Sequence, residues 1–499
     1  VDHVTLLKGL LSDIRPAGVQ GPDDIEITGL CYDSRGIQPG NVFFALRGDR
    51  LDGNEFVPAA LERGAVAIVT DVKSVSAPPS ICLVTVDDAR RALALAAAAY
   101  YGEPTRTLRV AGITGTNGKT TTAYLLHSIF SQTGASSGLI GTIEYRIGHR
   151  VLAARNTTPE SLDLQKYLAE MRDQGCRHVA MEVSSHALEM HRVDGCRFSA
   201  AVFTNLTRDH LDFHRTMDRY FAAKKKLFLG LESPPPEWAV LNIDDEYGAQ
   251  LAGGWPGKKL TYGLQAPADV RPRAMEYSFH GLDFTADTPG GPLLIESSLV
   301  GPPNVYNILA AVATSIALGF DMQTIRQGIR NLRAVSGRFE RVMCGQPFAV
   351  VVDYAHTDDA LRNIILAARR LTRQRVITVF GCGGDRDRSK RPLMGEVAGR
   401  LSDFTILTSD NPRSEDPLRI IADAVVGLQR TSDRYAVEPD RTKAIRRALE
   451  EAREGDIVLL TGKGHETYQI LGEKTIHFDD REVARDILEH LGYGGKSNH

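Results

Sequence analysis

The chain has 499 residues, 42% of them hydrophobic, and a formal net charge of −3. That length holds about three domains of ordinary size, and the near-neutral balance excludes a general attraction to nucleic acid or membranes. Six cysteines without CxxC spacing argue against a disulfide framework or zinc sites, and no apolar run is long enough to span a bilayer; a cytoplasmic enzyme is expected.

Residues 1–105 make the first predicted unit. It has strand-like runs at Asn41–Leu46 and Ala65–Thr70, a helical stretch near Glu55–Arg63 and an alanine-rich helix at Arg90–Tyr101. The first thirty residues read as neither a signal peptide nor an anchor. Asp33-Ser-Arg and Gly48-Asp-Arg-Leu-Asp-Gly fit plain turns, and Gly102-Glu-Pro-Thr-Arg-Thr reads as a linker.

Residues 106–335 alternate strand and helix patterns, which predicts a mostly parallel sheet covered on both faces. The strands are Leu108–Gly112, His178–Val183, Phe198–Thr204 and Trp238–Ile243. Helices are expected at Thr121–Phe130, near 160–174 and 217–229, and at Val305–Leu318, the last closing the unit. A third unit, 336–499, has strand candidates at Phe348–Val352, Val376–Phe380, Phe404–Thr408 and Asp456–Leu460. Each runs into a polar or glycine-rich loop, and in open α/β sheets ligands bind beyond the carboxyl ends of the strands. The predicted class is therefore α/β in three domains: a small N-terminal α/β domain, a central ATPase-like domain built on a phosphate loop, and a C-terminal Rossmann-like domain.

The chemistry concentrates first in Gly112-Ile-Thr-Gly-Thr-Asn-Gly-Lys-Thr-Thr-Thr122. Backbone N–H groups of such a loop wrap an anion at a helix N-terminus. Lys119 can reach terminal phosphates and Thr120 can ligate magnesium. The strict pattern wants glycine at 113, where this chain has Ile113. Met181-Glu-Val-Ser-Ser-His ends a strand where Glu182 could face a metal ion, though strands often end in Glu. In Thr204-Asn-Leu-Thr-Arg-Asp-His-Leu-Asp-Phe-His, His210 and His214 have helical zinc-pair spacing but no adjacent Glu or thiolate, so a polar loop is the plainer reading. Three adjacent lysines, 224–226, read by themselves as a solvated helix face. The basic cluster Arg386, Arg388, Lys390, Arg391 is interspersed with aspartate and favours a small anionic ligand over nucleic acid.

Together with Asn156-Thr-Thr-Pro, Ser336-Gly-Arg-Phe-Glu, Val352-Asp-Tyr-Ala-His-Thr, Gly381-Cys-Gly-Gly-Asp-Arg-Asp and Gly462-Lys-Gly-His-Glu, these motifs resemble, in order and spacing, those of the ATP-dependent Mur ligases. That family builds the peptide stem of bacterial cell-wall precursors, and the correspondence covers nearly the whole chain. The resemblance implies a UDP-MurNAc-binding first domain, an ATP-binding central domain and an amino-acid-binding third domain. It implies phosphorylation of the D-glutamate carboxylate of UDP-MurNAc-L-Ala-D-Glu by ATP, then attack of an amine on the acyl phosphate, in a protein expected to be monomeric.

By the same resemblance, Gly115, Thr116, Asn117, Gly118, Lys119, Thr120 and Thr121 hold the ATP phosphates, with Asn307, Arg338 and Asp353 contacting adenine, phosphate and ribose. For Asn307 a helix-surface amide is the competing reading. Thr120, Glu182, His210 and Lys224 serve magnesium, Lys224 as a carbamate formed with carbon dioxide. Lys119, Lys224, His210 and Glu182 are the implied catalytic set. Ser34, Asn156, Thr157, Thr158, Ser184 and Arg192 are implied to hold the sugar nucleotide and its peptide.

The third domain's Asp410-Asn-Pro-Arg413 is by itself a turn sequence, but an arginine fork binds a carboxylate bidentately. Family members that add meso-diaminopimelate carry this motif. They imply Arg386, Asp410, Asn411, Pro412, Arg413, Gly462 and Glu466 as the amino-acid site. Two positions depart from the family pattern: Asp358 stands where proline is common, and Arg215 where glycine is usual. A folylpolyglutamate synthase would explain the central domain but neither the first domain nor Asp-Asn-Pro-Arg. A silent nucleotide-binding regulator would not need Lys119, Glu182, His210 and Lys224 together.

Overall fold

The computed structural model describes residues 5–48, 51–230, 232–279 and 281–494. Asp49 and Arg50 of the predicted Gly48–Gly53 turn lie outside the described residues. Three main sheets organise the chain. The first is five-stranded, in the order Gly18–Gln20, Cys82–Thr85, Ala67–Thr70, Asn41–Phe44, Gly29–Cys31. All but the first strand run parallel. Alternate side chains go to opposite faces: Val42 and Phe44 pack under the helix Ala89–Tyr100, Phe43 and Ile68 under Val57–Glu62.

The central sheet is eight-stranded: Arg150–Ala153, Glu144–Ile147, Ser137–Ile140, His178–Glu182, Arg109–Thr114, Ala200–Phe203, Trp238–Asn242, Lys258–Tyr262. From Ser137–Ile140 onward the strands are parallel. Helices Lys119–Phe130 and Pro302–Ala317 cover one face, Ser161–Asp173 and Met217–Leu229 the other. The third sheet is six-stranded, in the order Glu340–Val342, Ala349–Asp353, Ile457–Thr461, Val376–Phe380, Phe404–Leu407, Tyr435–Val437. Its strands after the first are parallel, so the four polar loops leave one edge together.

Two expectations need correcting. The helix expected at Val305–Leu318 starts earlier, at Pro302, because prolines 302 and 303 suit a first turn whose N–H groups need no partner. It does not close the central unit, since Met322–Asn331 follows, capped by the Asp321 side chain. The stretch before it holds an unforeseen three-stranded antiparallel sheet, Arg271–Ser278, Gly281–Asp287, Leu293–Ser297, in which buried Leu282, Phe284 and Ala286 alternate with polar neighbours. The Gly102–Thr107 linker is a packed 3-10 turn with Pro104 and Thr105 buried, and Thr105 Oγ1 accepts from Arg197 N at 3.0 Å.

The two departures also find physical places. Asp358 opens the helix Asp358–Leu371 behind the Thr357 cap, where a carboxylate suits the helix dipole as well as proline suits the geometry. Arg215 has φ 69°, the left-handed region that favours glycine.

Candidate active site

The phosphate loop leaves the middle of the central sheet between Arg109–Thr114 and Lys119–Phe130. Ile113 lies inside the strand and is fully buried, which explains why the loop's first glycine comes later, at 115. Gly115 has φ 147°, and a Cβ there would stand 1.8 Å from Thr204 Oγ1, so the turn admits no side chain. Lys119 folds back over the loop, donating to Gly115 O and Thr116 O, each at 2.8 Å. Burial lowers its pKa, against the opposing pull of Glu182. Asn307 is no helix-surface amide. It is 6% exposed, and its Oδ1 lies 2.4 Å from where a Cβ of Gly118 would stand.

Thr120 Oγ1 donates to Glu182 Oε2 at 3.0 Å. Thr142, which sequence reasoning missed, holds the same carboxylate through its N–H to Oε1 at 2.8 Å and its hydroxyl to Oε2 at 2.9 Å. No composition or spacing marks this threonine; only the fold sets it beside Glu182. A threonine hydroxyl and a carboxylate are hard oxygen donors that fit magnesium, which keeps waters and substrate phosphates as its remaining ligands. No cluster of three or more His, Cys, Asp or Glu that could cage a metal occurs among the described residues.

Lys224 lies on Met217–Leu229, 1% exposed, its Nζ donating to Gly115 O at 2.8 Å and lying 4.5 Å from the ring centre of Tyr220. Burial first, and then the charge of Lys119, push its pKa well down. A neutral amine is what carbamate formation requires, so the residue fits that modification. Lys226 instead reaches Glu189 at 2.8 Å.

His210 stacks edge-on against His186 at 4.8 Å and is kept neutral by burial, against the pull of Asp209. Asp209, although burial raises it, is held low by the charge of Lys390 and by the His210 backbone N–H, which donates to its Oδ1 at 2.8 Å. His214 does not join His210 as a metal pair: it is buried and bonds Ser185 Oγ at 2.9 Å.

The third unit closes over this loop. Arg338 Nη2 donates to Thr120 Oγ1 at 3.1 Å while its guanidinium stacks 4.6 Å from the centre of Tyr354. Asp353 accepts from Phe339 N and Ala355 N, both at 2.8 Å, and its pKa is raised by burial. Asn117 Nδ2 reaches Asp359 Oδ2 at 3.0 Å. Between the two units lies a cavity of about 720 Å³ whose lining includes Lys119, Glu182, His210, Lys224, Asn307 and Arg338.

Thr157 and Ser184 also open on that cavity. Behind them, Thr158 Oγ1 donates to Glu182 O at 2.8 Å, Arg192 Nη1 donates to Thr158 O at 3.2 Å, and Tyr145 Oη donates to Asn156 O at 2.5 Å. Ser34 stays in the first unit, in the turn Ser34–Gly36, and is not among the cavity's lining residues. The first unit meets this region through Tyr32 Oη, which donates to Asp163 Oδ2 at 2.7 Å.

The expected amino-acid residues gather separately, at the edge of the third sheet. Asn411 Nδ2 donates to Glu466 Oε2 at 2.8 Å, and a Cβ at Gly462 would stand 2.5 Å from Asp410 Oδ2. Burial, with Asp410 nearby, raises the Glu466 pKa. Pro412 precedes Arg413, whose backbone has φ 52° and whose Nη1 donates to Gly384 O at 2.7 Å. Among the described residues no carboxylate pairs with that guanidinium within ion-pair distance. Arg386 is exposed and flanks Gly383 with Arg413. Two other members of the basic cluster are compensated: Arg391 is buried against Glu415 and Asp423 at 2.8 and 2.9 Å, and Arg388 meets Glu415 at 2.9 Å.

Two supporting cations were not foreseen. Lys463 is fully buried, 3.5 Å from Glu466 Oε2; its place between two glycines in a strand-end loop was a readable signal. Arg441 is buried against Asp480 at 2.6 Å and donates to Thr461 O at 3.0 Å, under the loops that carry Asp410 and Gly462. It sits on a charged helix that reads as solvated.

Comparison with known proteins agrees across the chain. Residues 26–101 match a model described as Mur ligase family, catalytic domain, residues 113–315 the Mur ligase middle domain, and residues 337–464 the Mur ligase, glutamate ligase domain. A UDP-N-acetylmuramoyl-L-alanyl-D-glutamate–2,6-diaminopimelate ligase of Solibacter usitatus is 57% identical over 94% of each chain. Its counterpart in Geobacter metallireducens is 47% identical over 98% of this chain and 99% of its own. A solved structure of such a ligase superposes with a TM-score of 0.69 at 33% identity, covering 98% of this chain and all of that one.

Proposed function

The chain belongs to the Mur ligase family, ATP-dependent enzymes that form amide bonds, and from that premise we propose that it adds meso-2,6-diaminopimelate to the D-glutamate of UDP-MurNAc-L-Ala-D-Glu in peptidoglycan precursor synthesis. The observation that carries this reading is the cavity between the phosphate loop and Arg338, with the Arg413 fork, which has no carboxylate partner among the described residues, on the neighbouring sheet edge. ATP phosphorylates the D-glutamate carboxylate, releasing ADP. The amino group then attacks the acyl carbon, phosphate leaves with the C–O electron pair, and the amine loses a proton. A carboxylate is a poor electrophile, so this chemistry needs a phosphate cradle and positive charge at the transferring oxygens more than a covalent nucleophile.

Residues 1–105 bind the UDP end, with Ser34 at the uridine; 106–335 bind ATP, and 336–499 the amino acid. Lys119 and Arg338 bring positive charge to the transferring phosphate, and Gly115–Thr121 wrap it. Asn307 faces the adenine and Asp353 the ribose. Asn156, Thr157, Thr158, Ser184 and Arg192 orient the sugar nucleotide's peptide. Thr120, Glu182, His210 and a carbamylated Lys224 would hold magnesium, which when bound neutralises phosphate charge.

Asp410, Asn411 and Glu466 receive the distal ammonium and Arg413 the distal carboxylate. Truncating one partner of such a buried charged pair costs about 2–5 kcal/mol, which is roughly 30-fold to a few thousandfold. Arg413→Ala is therefore expected to raise the Michaelis constant for diaminopimelate by that factor and that for ATP hardly at all. L-Lysine, which has no distal carboxylate, should be a poor substrate and lose much less on the same change. ADP release with UDP-MurNAc-dipeptide and a panel of amino acids measures both. Equal losses for lysine and diaminopimelate would make Arg413 a structural residue.

A further inference from the structure

Glu182 sits at the centre of a run of hydrogen bonds that crosses the whole site. From one side Thr157 Oγ1 lies 3.1 Å from Thr142 Oγ1, which donates to Glu182 Oε2 at 2.9 Å. From the other, Arg338 Nη2 donates to Thr120 Oγ1 at 3.1 Å, and Thr120 donates to the same Oε2 at 3.0 Å. Each hydroxyl has a single proton. Since Thr142 gives its proton to Glu182, it must accept from Thr157; since Thr120 gives its own to Glu182, it accepts from Arg338. The run is therefore polarised toward the carboxylate from both ends. Glu182 is fully buried, where bonds of this kind strengthen one another.

Among the described residues Thr142 is the only hydrogen-bonded link in this run between Glu182 and the Thr157 hydroxyl. It also lines the cavity, and its N–H separately holds Oε1. We propose that Thr142 is a positioning residue that couples occupancy of the sugar-nucleotide loop, through its hydroxyl, to the setting of Glu182 at the phosphate loop. The inference rests on the assignment of Thr157 to the sugar nucleotide and of Glu182 to magnesium-nucleotide. A ligand that orders Thr157 fixes the Thr142 hydroxyl on Glu182, so the carboxylate is already set when the nucleotide arrives. By linkage the effect runs equally in reverse.

The test is calorimetric binding of UDP-MurNAc-L-Ala-D-Glu to the full chain, with and without saturating magnesium and a non-hydrolysable ATP analogue. In the parent protein the analogue should tighten sugar-nucleotide binding about fivefold or more, the lower end of typical coupling between sites. Thr142→Val keeps the shape and the N–H bond but removes the hydroxyl. It should bring the factor close to one while each ligand alone still binds, and Thr142→Ser should retain it. The proposal is overturned if the parent shows no such factor, if Thr142→Val keeps it, or if Thr142→Ser loses it as fully as valine does. Should Thr142→Val fail to fold, Thr157→Val cuts the same link from its other end, and a factor retained there is equally fatal. A parent that does not bind the sugar nucleotide at all overturns the functional reading and this inference with it. Binding with the factor intact in Thr142→Val overturns the inference alone.

Discussion

Lys119→Ala is expected to abolish nearly all turnover while leaving the affinity for UDP-MurNAc-L-Ala-D-Glu almost unchanged. The Lys119 ammonium lies against Gly115 O and Thr116 O, in a loop whose glycine geometry leaves no room for substitution. When phosphates enter, it is the closest cation that the loop itself supplies. Removing one preorganised charge or donor from a developing oxyanion costs roughly a hundredfold to a thousandfold in kcat, and here no neighbouring side chain replaces it. Arg338 reaches Thr120 from the other unit and is already stacked on Tyr354. Thr157, Thr158 and Arg192, proposed to hold the sugar nucleotide, are not within hydrogen-bonding distance of the Lys119 Nζ among the described residues. Single-turnover ADP release and calorimetry of the sugar nucleotide measure the two effects separately. Loss of sugar-nucleotide binding in Lys119→Ala would show that the two ligands do not occupy separate parts of the site.

Lys224→Ala should be almost inactive too, by roughly a hundredfold or more on the same scale, and partly restored by millimolar short carboxylates. The reason is electrostatic. Two lysines, 119 and 224, share the Gly115 carbonyl, and burial together with their mutual repulsion drives Lys224 toward the neutral amine. A neutral amine adds carbon dioxide and loses a proton, which places an anion beside Lys119. Where a protonated Lys224 would repel Lys119, the carbamate attracts it. Lys224→Arg should be as inactive as the alanine variant, because a guanidinium keeps its charge at any working pH and forms no such carbamate. An active arginine variant, or an alanine variant indifferent to added formate or acetate, would rule out a carbamate at this position.

Much of the architecture could be read from the chain in order. Strands such as Val376–Phe380 are continuous apolar runs because both faces of a parallel sheet are covered, and their boundaries emerged within two residues. The motifs that follow those strands, read as those of the Mur ligases, carried family and fold class, since a phosphate loop needs its glycines in consecutive order. The missed elements were those in which local signals conflict. In Gly281–Asp287 the alternation is clear, but Asp283 and Asp287 make the segment look like loop.

What only the tertiary structure decided is which side chains meet. Lys224 is one of three adjacent lysines, and sequence alone makes all three solvated; the helix sends it inward under Gly115 while Lys226 goes out to Glu189. Thr142 and Arg441 carry no distinguishing pattern, yet a strand end and a crossing helix put them against Glu182 and Asp480. Asn307, for which a surface amide was the competing reading, is buried because its helix packs across the phosphate loop. Such contacts join residues tens to hundreds of positions apart. Periodicity and turn chemistry act over a few residues and set each element. The burial, charge and hydrogen bonding that give a site its reactivity arise where those elements pack, and these the chain acquires only on folding.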